Sequence, residues 1–371
     1  MKAGIFVTFA GRDYGGPQTY EETIVGEIAQ QDRENEYHVY ALEPGAASVY
    51  STLPENARCH VLKPRARWLS VPFSLPAMLL RDRIELLHAT VIPPPLTPIP
   101  LAFTMHDVTP FARPEFYPRP ITLRLRALIQ RGIRAARLVI CVSQSALDTT
   151  RDLFKLPDDR FVVIHHGVNP QFRPVPREQA RQTVSSALQL TEPYILHVGH
   201  IEKRKNIGRL LEAFYAFRQE TRLPFKLVFS GVRNFDTAFV DEVLEKRRLR
   251  EQVIELGKVP QQLMPAVYSA AEMLAFPSLW EGFGFPVLEA MACGTPVVTS
   301  NVASLPEIAG DATLLVDPLR TEEIAAALCR IATDSSLRAQ LRQRGIQRAA
   351  LFTWERAARL TIQAYRRVIG N

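Results

Sequence analysis

The sequence contains little cysteine and no long apolar run. Its 371 residues include four cysteines, and no CxxC spacing occurs among them. Neither a zinc site nor a disulfide framework is therefore indicated, and we expect four reduced thiols. An uninterrupted apolar stretch of about 18 residues, which a membrane-spanning helix would need, is also lacking. The N-terminal residues MKAGIFVTF turn polar too soon for a signal peptide, so we expect a cytoplasmic protein.

Several classes of function are disfavoured by motifs that the sequence lacks. No GxGxxG fingerprint follows the first apolar run of either half of the chain, which argues against an NAD-dependent dehydrogenase. The basic residues are not accompanied by a known nucleic-acid-binding motif, so nucleic acid is not expected as a partner. The aspartates lack the close pairing found where a divalent ion bridges phosphates. We therefore expect no metal site and no cofactor.

Short apolar runs alternate with helical segments along the whole chain. Seven such runs, from AGIFVTF to FVVIHHG, occupy the first half, and six, from PYILHVGH to ATLLVD, occupy the second. This alternation indicates parallel sheets with crossover helices, the α/β pattern of doubly wound Rossmann-like domains. A chain of this length favours two domains. We place the first at residues 1–170, a proline-rich polar linker at 171–192 and the second at 193–352, with ligands outside the carboxyl ends of the strands of both.

Positive charge is concentrated in one part of the first half. The chain has a formal net charge of +7, whereas residues 58–137 hold 13 Lys and Arg against 4 Asp and Glu, a surplus of 9. Basic segments that also contain apolar residues, here Trp68 and Phe73, can rest on anionic lipid headgroups or attract a phosphorylated substrate. A solvated basic helix face would give the same pattern, so both interpretations stay open.

The segment EGFGFPVLEAMACGTPVV, residues 281–298, holds two glutamates in an apolar setting. Glu281 and Glu289 are separated by seven residues. The glycines at 282 and 284 predict a turn, and the proline that follows predicts a helix at about 286–293. Its first N–H groups would favour an anion such as phosphate. Both carboxylates could then line one crevice; alternatively, Glu289 complements the helix dipole and Glu281 is simply solvated.

Other candidate site residues follow predicted strands. Glycines after the first strand could let a loop approach a phosphate, although a plain turn is the commoner reason for them. Two histidines end neighbouring strands, where they could serve function or structure. Basic groups before the helix that follows PYILHVGH could clamp a diphosphate, or could form a solvated loop. These residues are Gly15, Gly16, His88, His106, Gly199, His200, Arg204 and Lys205.

Over nearly its whole length the chain resembles the retaining glycosyltransferases of family 4, which have the two-domain GT-B fold. EGFGFPVLEAMACGTPVV matches the family's signature of two glutamates with seven residues between them, and HVGHIEKRKN, TMHDV, CVSQSA, VVIHHGVN, GKVP and AFPSLW occur in the family's order. IEKRKN is similar to the mannosyltransferase-like branch. The resemblance also implies that the C-terminal helix, residues 353–371, returns to the first domain.

The resemblance implies a role for each candidate. Glu289 would bind the ribose hydroxyls of a sugar nucleotide, Glu281 would lie against the transferred sugar, and Lys205 would neutralise the departing diphosphate. Many members have arginine at the position of His200, so either His200 or Arg204 would supply a second cation. The implied catalytic residues are His106, Lys205 and Glu281. The implied donor-binding residues are Gly15, Gly16, Gly199, His200, Arg204, Lys205, Val259, Glu281, Gly282, Phe283, Gly284, Phe285 and Glu289.

The implied activity is metal-independent transfer of a hexose with retention of configuration, in which the leaving phosphate helps to deprotonate the acceptor. The donor would be an NDP-sugar, with GDP-mannose as one option, and the acceptor a saccharide or lipid-linked saccharide. Asp107 stays open as a nucleophile. Peripheral association of residues 58–137 with the inner membrane face also stays open. The alternatives are a non-catalytic subunit that binds a sugar nucleotide, and a sugar-nucleotide hydrolase or epimerase.

Overall fold

The computed structural model describes residues 1–12, 15–234 and 237–370. The chain forms two compact units, one of Met1–Gly167 with Phe352–Asn371 and the other of Val168–Leu351. Each unit is built around a parallel sheet with helical crossovers, so the α/β prediction is confirmed. All four cysteines are free thiols. Within the described residues, no helix combines the length and the apolar character that crossing a membrane requires.

The first unit contains a seven-stranded parallel sheet with the order β3-β2-β1-β4-β5-β6-β7. Every apolar run predicted in this half forms one of its strands. Its strands are β1 (Lys2–Val7), β2 (Glu36–Ala41), β3 (Ala57–Val61), β4 (Leu86–Ala89), β5 (Leu101–Met105), β6 (Leu138–Cys141) and β7 (Phe161–Val163). Its helices are α1 (Gly16–Gln31), α2 (Ala46–Val49), α3 (Arg67–Leu69), α4 (Leu75–Arg81), α5 (Thr109–Ala112), α6 (Arg119–Ala135) and α7 (Gln144–Phe154), with α16 (Trp354–Ile369) added from the far end of the chain.

The second unit contains a six-stranded parallel sheet with the order β10-β9-β8-β11-β12-β13. The six predicted runs again form its strands. They are β8 (Tyr194–Val198), β9 (Lys226–Ser230), β10 (Val253–Gly257), β11 (Met273–Phe276), β12 (Val297–Ser300) and β13 (Leu314–Val316). The helices are α8 (Arg177–Leu188), α9 (Ile207–Thr221), α10 (Ala238–Lys246), α11 (Met264–Ala270), α12 (Phe285–Ala292), α13 (Leu305–Ala309), α14 (Thr321–Thr333) and α15 (Ser335–Ala349).

The apolar strands bury both of their faces under helices, as parallel sheets require. In the second unit, Phe214 and Phe217 of α9 pack with Phe229 of β9 in one fully buried cluster. Burial of large aromatic side chains of this kind supplies much of the stabilisation of a core, about 1.5–3 kcal/mol for each. These cores fix the strand ends, from which the polar loops of the unit begin.

Residues 171–192, predicted as a linker from their proline and polar content, belong to the second unit. Most of this segment forms α8, whose Ala180 and Val184 are buried. The preceding turn is tied to α11, because the N–H of Val175 donates to Ser269 Oγ at 3.1 Å. The structure therefore differs from the predicted linker, since an apolar stripe on a largely polar helix anchors it to the unit.

The last helix, α16, completes the first unit. Its N-terminus is capped by Thr353, whose hydroxyl accepts from the N–H of Arg356 at 3.1 Å. Gln31 of α1 donates to the carbonyl of Glu355 at 3.0 Å. Buried Tyr365 brings its hydroxyl within 2.6 Å of His88 Nδ1. The first unit is thus made from two stretches of chain that are separated in sequence by the whole second unit.

Candidate active site

The carboxyl ends of β8 and β11 form a topological switch point in the second unit. The chain moves from β8 outward through β9 and β10, then returns to β11 on the opposite side of β8. Loops that leave two such neighbouring strands diverge and open a crevice, where ligands of doubly wound sheets bind. The basic turn Lys203–Lys205 follows β8, and the loop with Glu281 follows β11. The topology therefore brings HVGHIEKRKN and EGFGFPVLEAMACGTPVV together.

Glu281 lies between two cations. Lys205 Nζ is 2.6 Å from Glu281 Oε1, and Arg204 donates to Glu281 Oε2 at 3.0 Å. Arg204 also contacts Glu202, with 3.0 Å between the guanidinium and Oε1. Lys205 is only 7% exposed, and its ammonium lies 4.7 Å from the centroid of the Phe276 ring. Three charged groups predicted as site residues thus form one buried network.

The charges of this network stabilise each other. Burial alone would raise the pKa of Glu281, but Arg204 and Lys205 lower it to about 2. Burial lowers the pKa of Lys205, and the neighbouring Glu281 carboxylate opposes that shift. Glu281 is therefore ionised at neutral pH. An anionic ligand that entered here would meet two cations already held in position.

The loop that carries Glu281 is anchored by hydrogen bonds that sequence reasoning did not predict. Ser304 Oγ donates within 3.0 Å of both the Glu281 and the Phe283 carbonyls. Asn206 Nδ2 donates to the carbonyl of Pro277 at 3.0 Å, and the Arg204 carbonyl accepts from the N–H of Leu279 at 2.8 Å. These hydrogen bonds fix the loop between β11 and α12 to neighbouring elements of the second unit. The sequence does show an asparagine, Asn206, directly after the KRK turn, and a side chain of this type could have indicated such an anchor.

Helix α12 follows this loop and begins at Phe285, one residue before the predicted start at 286. Gly284 precedes it with φ 105°, and a Cβ placed there would lie 2.8 Å from Leu305 Cδ2. Only glycine adopts that backbone without strain. As the N-cap residue of α12, Gly284 has no side chain that could cap the first turn. That the positive end of its dipole meets an anion stays a prediction.

Glu289 lies on α12, one turn from its start, and is half-buried. Tyr268 of α11 donates its hydroxyl to Glu289 Oε2 at 2.7 Å. Burial raises the pKa of Glu289 to about 7, although the hydrogen bond from Tyr268 partly opposes this. Tyr268 was missed from sequence because it lies in an apolar helix, PAVYSA, where tyrosine normally serves packing. Its hydroxyl fixes one carboxylate oxygen.

Glycines line the carboxyl ends of β8, β9 and β10. The N–H of Gly199 donates to the carbonyl of Ser230 at 2.9 Å, and that of Gly231 donates to Gly257 at 2.8 Å. A Cβ on Gly231 would lie 2.0 Å from the Gly199 carbonyl oxygen, so this close approach requires glycine. Gly199 was predicted from the sequence as a site residue. Gly231 and Gly257 were not, although each of them ends an apolar run. Val259, which follows this edge, is buried, and His200 is exposed.

In the first unit, the corresponding switch point lies between β1 and β4 and is organised by a buried carboxylate. Glu21 of α1 is fully buried and accepts from the N–H groups of Thr8, Phe9 and Ala10 at 2.8, 2.6 and 2.8 Å. The hydroxyl of Thr90, after β4, lies 2.5 Å from Glu21 Oε1. Burial raises the pKa of Glu21, and these hydrogen bonds oppose the shift. Glu21 thus joins the two loops of the switch point.

His106 is engaged at both of its ring nitrogens. Its Nε2 donates to the carbonyl of Thr90 at 2.8 Å, so its Nδ1 can accept from His166 Nε2 at 3.2 Å. Tyr20 packs edge-on against the His106 ring, with 4.7 Å between the ring centroids. Burial lowers the pKa of His106 to about 4, and the imidazole is therefore neutral near pH 7. His166 and Tyr20 were not identified from sequence.

Of the remaining candidates in the first unit, two make structural hydrogen bonds and one, a glycine, has free space beside its Cα atom. Both nitrogens of His88 are engaged, Nδ1 with Tyr365 and Nε2 with Thr104 at 2.7 Å, which supports the structural interpretation of this histidine. Asp107 accepts from the N–H of Thr109 at 2.7 Å and so closes a turn. Gly15 precedes α1 with φ 87° and has open space where a Cβ would stand.

Comparison with known proteins identifies the class of the chain. Residues 14–172 match the family described as Glycosyltransferase Family 4, and residues 178–348 match Glycosyl transferases group 1. The O-antigen chain mannosyltransferase B of Escherichia coli is 36% identical over 265 residues, which are 71% of this chain and 69% of that protein. The chain belongs to the glycosyltransferases of the GT-B fold.

Within that family the chain falls in the mannosyltransferase-like branch. The serotype-specific mannosyltransferase WbdA of E. coli is 28% identical over 290 residues, or 76% of this chain. The chain spans about a third of the length of that relative, 35%.

Solved structures share the fold over the full chain. Sucrose-phosphate synthase from Thermosynechococcus elongatus superposes with a TM-score of 0.77 at 20% identity, covering 100% of this chain and 99% of that one. HepE from Anabaena, solved in complex with UDP-glucose, gives a TM-score of 0.76 at 18% identity and covers 98% of this chain and 100% of its own. At these identities the likeness concerns the fold.

Proposed function

We propose that this glycosyltransferase moves a hexose from an NDP-sugar to a saccharide hydroxyl with retention of configuration. The observation that carries the proposal is the buried network in which Lys205 and Arg204 flank Glu281 at the switch point of the second unit. A sugar diphosphate needs cations at its leaving group, and a carboxylate suits the sugar hydroxyls beside it. This network offers both within one unit.

In the proposed reaction, the bond between the sugar C1 and the diphosphate oxygen breaks while a bond from C1 to the acceptor oxygen forms on the same face. The acceptor proton passes to the leaving diphosphate. Lys205 stabilises the negative charge that develops on that leaving group, assisted by the N-terminus of α12. Glu281 holds the transferred sugar, and no side-chain nucleophile takes part.

Arg204 supports the proposal as the second cation better than His200 does. Arg204 shares the Glu281 carboxylate with Lys205, whereas His200 is exposed at the turn that follows β8. A guanidinium is charged at every physiological pH and can bind a phosphate with two parallel hydrogen bonds. We therefore assign Arg204 the role that arginine has one position after the strand glycine in many family members.

His106 contributes to this proposal as a neutral, fixed ring. Both of its ring nitrogens are engaged, Nε2 with the Thr90 carbonyl and Nδ1 with His166. A ligand would therefore contact the carbon atoms of the ring, and could reach Nδ1 only after His166 had moved away. We propose that His106 contacts the transferred sugar through this fixed ring, and that Glu21 holds residues 8–10 in a shape that suits phosphate or acceptor binding.

Mannose is the proposed sugar and GDP-mannose the proposed donor. The support is the branch of the family, since the relatives from E. coli carry the name mannosyltransferase. The proposed acceptor is a saccharide or a lipid-linked saccharide. Two other functions use the same nucleotide site: a non-catalytic subunit that binds a sugar nucleotide, and a hydrolase or epimerase.

A panel of nucleotide sugars, incubated with and without mannoside acceptors, separates these functions. We expect GDP release from GDP-mannose that depends on the acceptor, with an α-linked product visible by NMR, and the same turnover in chelator because no metal is required. Acceptor-independent release would indicate a hydrolase, an isomerised donor an epimerase, and binding without release a regulatory subunit. Activity that vanished in chelator and returned with magnesium would contradict the metal-independent mechanism.

Donor use should depend on the ionisation of Glu289. Its carboxyl, with a pKa raised to about 7, is protonated below that pH and loses an acceptor that the ribose hydroxyls need. We expect kcat/KM for the donor to rise between about pH 6 and 8, and Glu289→Gln to remove that rise. Glu289→Ala should lower kcat/KM at least about tenfold, or roughly 1.4 kcal/mol. A wild-type pH profile in Glu289→Gln would exclude the ribose role.

A lipid-linked acceptor would place the enzyme at a membrane, and the proposed contact is the basic region 58–137. Trp68 and Phe73 are 75% and 68% exposed, close in sequence to exposed Lys63 and Arg65. Exposed aromatic rings beside basic groups suit the interface of an anionic bilayer.

In liposome flotation, we expect the protein to bind anionic but not neutral vesicles, and the double variant Trp68→Ala/Phe73→Ala to bind at least about tenfold more weakly. Leu319→Ala is the matched control, because Leu319 is 62% exposed in the second unit. If the protein bound neither anionic nor neutral vesicles, the proposed membrane contact would be contradicted.

A further inference from the structure

Two histidines and an aspartate converge at the β3 edge of the first sheet and take no part in the proposed transfer reaction. His38 belongs to β2, His60 to the edge strand β3, and Asp82 directly follows α4. His60 Nε2 lies 3.2 Å from His38 Nδ1, which is 3.8 Å from Asp82 Oδ2. One ligand atom from each residue falls within a group whose members are all within 4.8 Å of one another.

Strand register explains why these side chains share a face. Tyr40 pairs with His60 and His38 is two residues before Tyr40, so all three side chains point to the same side of the sheet. The two imidazoles stack, with ring centroids 5.2 Å apart and an interplanar angle of 15°. Cys59, the neighbour of His60, points to the opposite side and is excluded from the cluster.

The spacing of the three ligand atoms suits a bound cation. Around a tetrahedral zinc ion with bonds of about 2.0–2.1 Å, neighbouring ligand atoms are about 3.3 Å apart. The His60–His38 and His38–Asp82 distances of 3.2 and 3.8 Å bracket that value, and His60 and Asp82 offer ligand atoms within 4.8 Å of each other, which a small side-chain movement would bring onto one ion. Imidazole nitrogens and carboxylate oxygens are both ligands that zinc accepts.

Neighbouring side chains donate hydrogen bonds to the Asp82 carboxylate, as is common around the ligands of metal sites. Tyr40 donates its hydroxyl to Asp82 Oδ2 at 2.9 Å, and Arg81 donates to Oδ1 at 2.8 Å. Glu36 Oε2 lies 3.9 Å from His38 Nε2, on the side of the ring away from the cluster. The Asp82 carboxylate is therefore held before any ion arrives.

We propose that His38, His60 and Asp82 bind a divalent transition-metal ion of the zinc class, with water as the fourth ligand. Such an ion would join the edge strand β3 to β2 and to the end of α4, and would act on the stability of the first unit rather than on sugar transfer. This site is independent of the proposed reaction, which uses other residues and requires no metal.

Equilibrium dialysis of the untagged full chain, stripped with chelator and then titrated with Zn²⁺, tests the proposal. We expect one tightly bound ion per chain, visible d–d absorption when Co²⁺ replaces it, and a Tm that rises with Zn²⁺. His60→Gln and Asp82→Asn should each weaken binding at least tenfold and remove the rise in Tm.

Cys59→Ser and His200→Gln are the matched controls, since one removes the adjacent thiol on the other face and the other removes an exposed histidine elsewhere. Both should bind Zn²⁺ like the wild type. If the variants of the cluster unfold, the wild-type stoichiometry still decides. Absence of stoichiometric Zn²⁺ binding, or binding that survives His60→Gln, would overturn the proposal and leave a hydrogen-bonded cluster without a metal.

Discussion

Replacing Lys205 by alanine is expected to lower kcat for sugar transfer by about 100- to 1,000-fold, with a smaller change in donor KM. The ammonium is held 2.6 Å from Glu281 in a buried site, where a fixed charge acts on the leaving group without the screening of bulk water. The measurement is steady-state kinetics with the donor identified by the nucleotide-sugar panel. Lys203→Ala, in the same turn but exposed, is the matched control and should leave kcat within about twofold.

Loss of Lys205 also leaves Glu281 with one cation instead of two, so folding must be separated from catalysis. Thermal unfolding of Lys205→Ala supplies that check, and the double variant Lys205→Met/Glu281→Gln removes both charges at similar volume. We expect the double variant to fold at least as well as Lys205→Ala and to stay inactive, because removal of a buried pair costs less stability than removal of one partner. A folded Lys205→Ala enzyme with wild-type kcat would refute the proposed role of the ammonium.

Glu21→Ala is expected to lower the free energy of unfolding by about 3–5 kcal/mol. Three buried backbone N–H groups would lose their acceptor, whereas the Thr90 hydroxyl could still donate to the Phe6 carbonyl. Each buried donor without a partner costs about 1–3 kcal/mol. Since domains are stable by only about 5–15 kcal/mol, this is a large fraction. Denaturant unfolding, followed by fluorescence or circular dichroism, measures it.

Glu22→Ala is the control for this prediction. Glu22 is the next residue of α1 and accepts from the exposed N–H of Gly11 at 2.9 Å and from Gln18 Nε2 at 3.0 Å. Because these donors can turn to water, its loss should cost about 1 kcal/mol or less. Equal effects of the two substitutions would show that the Glu21 carboxylate does not organise the loop. The loss of stability in Glu21→Gln should lie between the losses in Glu21→Ala and Glu22→Ala. The amide oxygen of glutamine can still accept a hydrogen bond, but its NH₂ group faces backbone donors that it cannot satisfy.

The strands were predictable because each is an apolar run that ends in a turn residue, and all seven and all six predicted runs form strands. That logic also placed Lys205 and Glu281 at strand ends, where sheet topology then brought them together. The same logic failed for residues 171–192, whose proline content concealed the stripe of Ala180 and Val184 on α8. Composition describes a segment as a whole, whereas packing depends on one face of it.

The partners of the candidate site were harder to predict because their signal is not local. Glu21 lies in YEET, which reads like the polar side of any surface helix, and only the fold shows that its carboxylate meets the turn after β1. Tyr268 and His166 likewise depend on contacts with residues far along the chain. Gly231 and Gly257 did carry a local signal, a glycine at the end of an apolar run, as Gly199 does.

The return of α16 to the first unit has a consequence for biosynthesis. His88 and the face of α1 that packs against α16 stay uncovered until residues 354–369 leave the ribosome, after all of Val168–Leu351 has been translated. At about 5–20 residues per second, that interval lasts roughly 10 to 40 s. The first unit is therefore completed only after the whole second unit has been translated.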